Sequence, residues 1–112
     1  MSWGNWIEER KPFTEDEITE YLITRDKLNS GKRDQDTCMK RFYLYDRIRS
    51  KKGISLQRIA DMFNKSNHAT IIHGIKTYND QKNLYWVKEI TREYDLAFIT
   101  QNILQEIKQS KE

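Results

Sequence analysis

The chain is expected to fold as an all-α protein, a small helical bundle containing a helix-turn-helix. Three observations predict this. Apolar residues recur at three- and four-residue spacing through successive segments, the period of a helix with one buried face. One proline and four glycines among 112 residues leave little room for hairpins or long linkers. The 37% hydrophobic and 33% charged composition is that of a water-exposed helical domain, and the length suits one domain with a modest core.

The elements follow in order. Met1 to Lys11 is tryptophan-rich, with Trp3 and Trp6, and lacks a clear period. Thr14 then reads as an N-cap with Glu17 at N3, a capping box, and Phe13 against Ile18 as its hydrophobic staple. This helix is predicted to run to about Leu28 with Ile18, Tyr21, Leu22, Arg25 and Leu28 facing inward, stopped by Asn29, Ser30 and Gly31. A short basic loop, Lys32 to Gln35, leads to a second helix from about Asp36 to Ser50. Its inward residues are Cys38, Phe42, Tyr45 and Ile48, and its outer face carries Lys40, Arg41, Arg47 and Arg49. Residues 82–109 hold Leu84, Val87, Ile90, Tyr94, Ala97, Leu104 and Ile107 at helical spacing, as one long helix or two shorter ones. The organisation expected is a segment over 1–31 with its capped helix, packed on a domain over 32–112 that ends in a helical extension.

Between these elements lies the most informative stretch. Ser55 is placed to cap a helix whose Leu56, Ile59, Ala60 and Phe63 form a single apolar stripe. Asn64, Lys65 and Ser66 favour a turn, because short polar side chains compete for local backbone hydrogen bonds. A second helix starts near Asn67 and buries Ile71, Ile72, Ile75 and Tyr78, which turns Asn67, His68, Thr70, His73, Lys76 and Thr77 outward. In a helix-turn-helix the first turn of the second helix reaches base edges in the DNA major groove.

This stretch resembles the C-terminal DNA-binding domain of the bacterial replication initiator DnaA family, a fold also described as Trp-repressor-like. The family's signature runs Ser-Leu-x-x-Ile-Gly-x-x-Phe, a turn, then Asp-His-Thr-Thr-Val-x-His-Ala. Ser55, Leu56, Ile59, Ala60 and Phe63 match it, followed by Asn67, His68, Ala69, Thr70, Ile71 and His73, with Gly74 in the small position. More loosely, the resemblance extends from about Lys32 to about Gln101. It implies a stand-alone DNA-binding module of bacterial or phage origin, acting in replication or transcription. In the family, the His and Thr residues of the signature meet base edges, and an arginine of the upstream loop enters the minor groove. Carried over, these roles fall to His68 and Thr70, with Lys32 or Arg33 in the loop. The reading positions depart from the family: Ala69 replaces a base-contacting Thr, Asn67 replaces Asp, and Ser66 stands where an Arg is common. Asn67 can bond adenine in a bidentate manner, and Ala69 can meet a thymine methyl.

Charge is distributed to match. Residues 1–31 carry four Lys and Arg against seven Asp and Glu, residues 32–82 twelve against five, and residues 83–112 four against five. Concentrated cations displace counterions from the phosphate backbone and supply affinity independent of sequence. The expected base contacts are Asn67, His68, Ala69 and Thr70; the expected phosphate or minor-groove contacts are Lys32, Arg33, Arg41, Lys52, Lys65, Ser66, His73 and Lys76. His73 lies about 140° round the helix from His68, which does not suit a shared metal site. A helix-packing role for it stands beside the phosphate one.

Other classes find little in the residues. There is no G-x-x-x-x-G-K-[ST] phosphate loop, no H-E-x-x-H and no convincing pair of carboxylates, so neither an enzyme nor a cofactor is expected. The lone Cys38 excludes an intrachain disulfide and reads as a small buried hydrophobe. The N-terminus lacks the order of a signal peptide and no apolar run approaches a membrane span, so the expected location is the cytoplasm. The expected partner is double-stranded DNA, with neither membrane nor small-molecule substrate. An alternative of another class is a protein-interaction module, or a homodimer, that uses the acidic N-terminal helix, the tryptophan pair or the C-terminal helices to bind a replication or regulatory protein.

Overall fold

The computed structural model describes residues 14–65 and 67–110, with side chains for all of these except 51, 52 and 101–110. Five helices run through them: α1 (Glu15–Arg25), α2 (Gln35–Lys52), α3 (Leu56–Met62), α4 (His68–Gln81) and α5 (Tyr85–Ser110). No strand occurs among the described residues, so the fold is all-α. Of the two arrangements open for the C-terminal segment, the chain adopts the single long helix. No helix among the described residues is long and apolar enough to cross a membrane.

Local chemistry sets the helix starts. The Thr14 hydroxyl accepts from the Glu17 N–H while the Glu17 carboxylate accepts from the Thr14 N–H, closing the expected capping box. Ser55 caps α3 by accepting from the Arg58 N–H at 3.2 Å, and Asn67 caps α4 by accepting from the Ala69 N–H at 2.8 Å. Helix α2 begins one residue before the expected Asp36. Asp34 caps it, accepting from both the N–H and the hydroxyl of Thr37.

The ends are less legible. Helix α1 stops at Arg25 rather than near Leu28, because Lys27 takes the left-handed conformation with φ 55°. Its N–H donates to Thr24 and the Leu28 N–H reaches back to the Ile23 carbonyl at 2.9 Å, the paired closure usually built on glycine. Asn64, at φ 56°, ends α3 in the same way, with its own N–H donating to Asp61 and the Lys65 N–H to Ala60. Asparagine advertises this turn in the sequence; lysine does not.

Helix α2 is the hub. It packs against α3, α4 and α5 and buries Thr37, Met39, Arg41, Tyr43, Leu44, Tyr45 and Ile48 around its circumference. A helix enclosed on several sides has no single apolar stripe, which is why the predicted inward set for α2 was incomplete. Cys38 and Phe42 are only partly buried. From α3 come Ile59, Ala60 and Phe63, from α4 Ile71, from α5 Tyr94 and Phe98, and from α1 and its turn Leu22, Ile23 and Leu28, all in one core. Tyr45 and Phe63 meet edge to face at 4.7 Å.

Four inward assignments are corrected. On α1 the inner face is Thr19, Leu22 and Ile23, which leaves Tyr21 60% exposed and turns Arg25 outward. On α4, Ile72 is 50% exposed, because Gly74 rather than a larger residue faces α2. Leu84 precedes α5 and is exposed. The tryptophan pair and Phe13 lie outside the described residues, as do the side chains of Leu104 and Ile107.

Gly74 governs how α4 sits on α2. A Cβ at this position would stand 2.6 Å from Cδ1 of Phe42 and 2.7 Å from Cδ2 of Tyr45, well inside van der Waals contact. The Tyr45 ring is fully buried against Phe63 and has nowhere to go. At the other side of the bundle, Asp26 joins α1 to α5: it accepts hydrogen bonds from Arg25 and from the Tyr94 hydroxyl. Burial pushes its carboxyl upward, but these two hydrogen bonds outweigh burial and hold it below the usual aspartate range. The Arg47 guanidinium adds a further tie, donating to Glu15 at 2.9 Å and lying 3.8 Å over the Phe98 ring.

Two outcomes are expected. Gly74→Ala gains about 1 kcal/mol in helix propensity but overpacks the α2–α4 contact by about 1–3 kcal/mol, so denaturant titration should show a net loss of about 1 kcal/mol. For Asp26, whose folded carboxyl is the more acidic, the stabilisation is complete above the ordinary aspartate value of about 4 and is lost as pH falls through the depressed folded value. Asp26→Asn should therefore be less stable than the parent at neutral pH, with a flatter dependence of unfolding free energy on pH in the acid range.

Candidate nucleic-acid interface

The α3–α4 pair turns mainly polar residues outward. Its apolar stripes are turned into the core, with Ile59, Phe63 and Ile71 fully buried. This leaves Asn64 and the first turn of α4 outside. Asn67, His68, Ala69 and Thr70 are all exposed. The Asn67 Oδ1 is engaged as the cap of α4, and its Nδ2, which has two donors, has no partner among the described residues. Further along α4, His68, Ile72 and Lys76 fall at i, i+4 and i+8 beside Ala69 and His73, all exposed. The ring of His73 also stands edge-on to Phe42 at 6.2 Å, so one of its faces belongs to the α2–α4 packing.

The basic loop converges on this surface through Lys65. Lys65 is half-buried, and burial lowers its ammonium below the usual lysine range; the neighbouring charges of Arg41 and then Arg33 lower it further. The loop cation Arg33 thus lies near enough to the turn cation Lys65 for their charges to interact. Arg33 is exposed and has no hydrogen-bond or ion-pair partner among the described residues, while Lys32 is exposed and lies 3.8 Å from Asp34. A phosphate oxygen placed there would relieve repulsion as well as gain attraction.

Arg41 is not a surface contact. It is 3% exposed, and its Nε donates to the Leu28 carbonyl at 2.6 Å and its Nη2 to the Ser30 carbonyl at 2.9 Å. Those two carbonyls lie in the chain leaving α1, whose close-packed turn leaves them without helical partners, and the planar guanidinium fits both at once. The outer basic face expected on α2 is likewise dispersed. Arg47 is held between Glu15 and Phe98, Lys40 sits over the Tyr94 ring at 5.9 Å, and Arg49 donates to the Ile54 carbonyl. Charge counted along the sequence therefore exceeds the charge the interface offers. Ser66 lies outside the described residues, and so does the Lys52 side chain.

One residue of this surface was missed. Ile72 was assigned to the core, yet it stands exposed between His68 and Lys76, where an apolar side chain suits a thymine methyl. Its place next to Ile71 hid it, since either of two adjacent isoleucines satisfies the periodicity and only the depth of Gly74 decides between them. No group of His, Cys, Asp and Glu side chains among the described residues is arranged to hold a metal ion.

Comparison with models of known protein families, with curated protein sequences and with solved structures found no match to this chain.

Arg41→Ala should be among the costly substitutions on α2. Removing the guanidinium leaves two carbonyls without their charged donor, and hydrogen bonds of this kind contribute about 1.5–3 kcal/mol each. A loss of roughly 2–4 kcal/mol in chemical denaturation is expected, against about 0.5 kcal/mol or less for Lys76→Ala on the open face of α4.

Proposed function

We propose that this chain binds double-stranded DNA, with α3 and α4 acting as a helix-turn-helix and the first turn of α4 entering the major groove. In this reading it is a non-catalytic regulator of replication or transcription in a bacterium or phage. One observation carries it: the signature residues Asn67, His68, Ala69 and Thr70 lie together, exposed, on a helix start that follows the turn cation Lys65, whose charge interacts with that of Arg33 in the basic loop. A capped helix N-terminus that offers small polar side chains beside free cations is the arrangement that base and phosphate recognition requires.

The roles follow from position. Asn67, His68 and Thr70 donate to or accept from base edges, and Ala69 with Ile72 supplies apolar contact to thymine methyls. Arg33, with Lys32 beside it, reaches the neighbouring minor groove, as the resemblance to the DnaA C-terminal domain implies. Lys65, Lys76 and His73 hold phosphates, and Arg41 acts from within by fixing the chain from which the loop departs. Because Ser66, Asn67 and Ala69 depart from the family's pattern, the preferred site is this protein's own rather than the family's box.

Fluorescence anisotropy on a duplex selected from a random pool tests the reading. With few free cations at the interface, the logarithm of the binding constant should fall against that of salt with a slope of roughly −3 to −4, set by about four phosphate contacts. Lys65→Ala should weaken binding to every duplex about tenfold and reduce the slope by about 1. His68→Ala should instead narrow the gap between selected and random duplexes, by about 1–3 kcal/mol. If both variants bind the selected duplex as the parent does, the assignment fails.

A further inference from the structure

Helices α1 and α5 enclose a groove of about 970 Å³ lined by Ile18, Leu22, Ala97 and the exposed side chains of Tyr21 and Leu96. Neither α3 nor α4 contributes to it, so it is separate from the candidate DNA surface. Tyr21 is 60% and Leu96 53% exposed, an apolar area that the fold itself leaves uncovered along the described helices. The lining spans Glu17 to Arg25 on one wall and Glu93 to Thr100 on the other, which is about 10–12 Å at the helical rise. That length matches two to three turns of a docked helix with apolar anchors at i, i+3 or i+4, and i+7.

Charge identifies the occupant. The groove's lining carries three carboxylates, Glu17, Glu20 and Glu93, against the single guanidinium of Arg25, which is already paired with both Asp26 and Glu93. A phosphate backbone is repelled by such a rim, and a second copy meeting it groove to groove would set acidic rim against acidic rim. We infer that the groove receives a cationic amphipathic helix of a partner protein, its apolar face on Ile18, Tyr21 and Leu96 and its lysines or arginines against Glu17 and Glu20. The chain is then two-faced. A basic surface for nucleic acid and an acid-rimmed groove for protein stand on different helices, so a regulator can be tethered through one while the other works.

The experiment titrates the isotope-labelled full chain by NMR with a designed peptide of about fourteen residues, leucine at the anchor positions and lysine elsewhere, and with its counterpart carrying glutamate for lysine. The lysine peptide should shift the amides of residues 17–25 and 93–100 and bind at least about tenfold more tightly than the glutamate peptide. Glu20→Lys should erase that preference and Leu96→Asp should abolish binding, while both variants keep the parent's amide spectrum elsewhere. Equal affinity for the two peptides, shifts confined to α4, or no binding below about 1 mM would overturn the inference. So would binding that appears only after deletion of residues 1–12, since the chain's own N-terminal segment would then be the groove's occupant.

Discussion

Helix α4 can approach α2 only because residue 74 carries no side chain. At that crossing the rings of Phe42 and Tyr45 take the space a Cβ would need, and Tyr45 is in turn locked by Phe63 of α3. One absent methyl therefore couples three helices. It sets the depth of α4, and depth decides what α4 shows: with Ile71 fully buried and Gly74 against the rings, Ile72 and the row from His68 to Lys76 are turned outward. The candidate recognition surface is a consequence of packing on its far side.

The same hub explains where the positive charge goes. A helix packed against three others has little room for a solvated basic face, and two of its arginines are drawn into internal work. Arg41 closes the carbonyls after α1 and Arg47 bridges α1 to α5 across an aromatic ring, whereas Arg49 stays exposed while donating to the chain entering α3. Buried or half-buried arginines suit this because the delocalised guanidinium is weakly hydrated and offers several donors in fixed geometry. Near the candidate surface Arg33 and Lys76 are exposed and Lys65 is half-buried, while Lys27, Arg49, Arg58, Lys82, Lys88 and Arg92 are exposed on other parts of the described helices and turns.

Helices α1 and α5 give the molecule its opposite character. Beside the core residues Leu22, Ile23, Tyr94 and Phe98, their mutual fastening runs through a polar group, Asp26, Arg25, Glu93 and the Tyr94 hydroxyl. A polar fastening holds two helices at one end while leaving apolar side chains uncovered along their length, which is how Tyr21 and Leu96 remain at the surface. The acidic residues Glu17 and Glu20 of α1 are thereby placed beside apolar area, on a different helix from the cations of the turn.

Much of this was legible in the residues themselves. The all-α class, the caps at Thr14, Ser55 and Asn67, the stripe of Leu56, Ile59, Ala60 and Phe63, and the exposure of Asn67 to Thr70 follow from chemistry acting within a few positions of chain. Local hydrogen bonds and a 3.6-residue period are properties of neighbours in sequence, so sequence determines them. Only the tertiary structure decided which isoleucine of the pair at 71 and 72 goes in, that Arg41 and Arg47 are internal, that Lys27 ends α1, and that α1 and α5 leave a groove between them. Each of these depends on what stands opposite: a ring pair across from Gly74, two carbonyls across from Arg41, a phenylalanine across from Arg47. Periodicity identifies that a face is buried, but the partner brought to it from a distant part of the chain determines how deeply, and with which side chains.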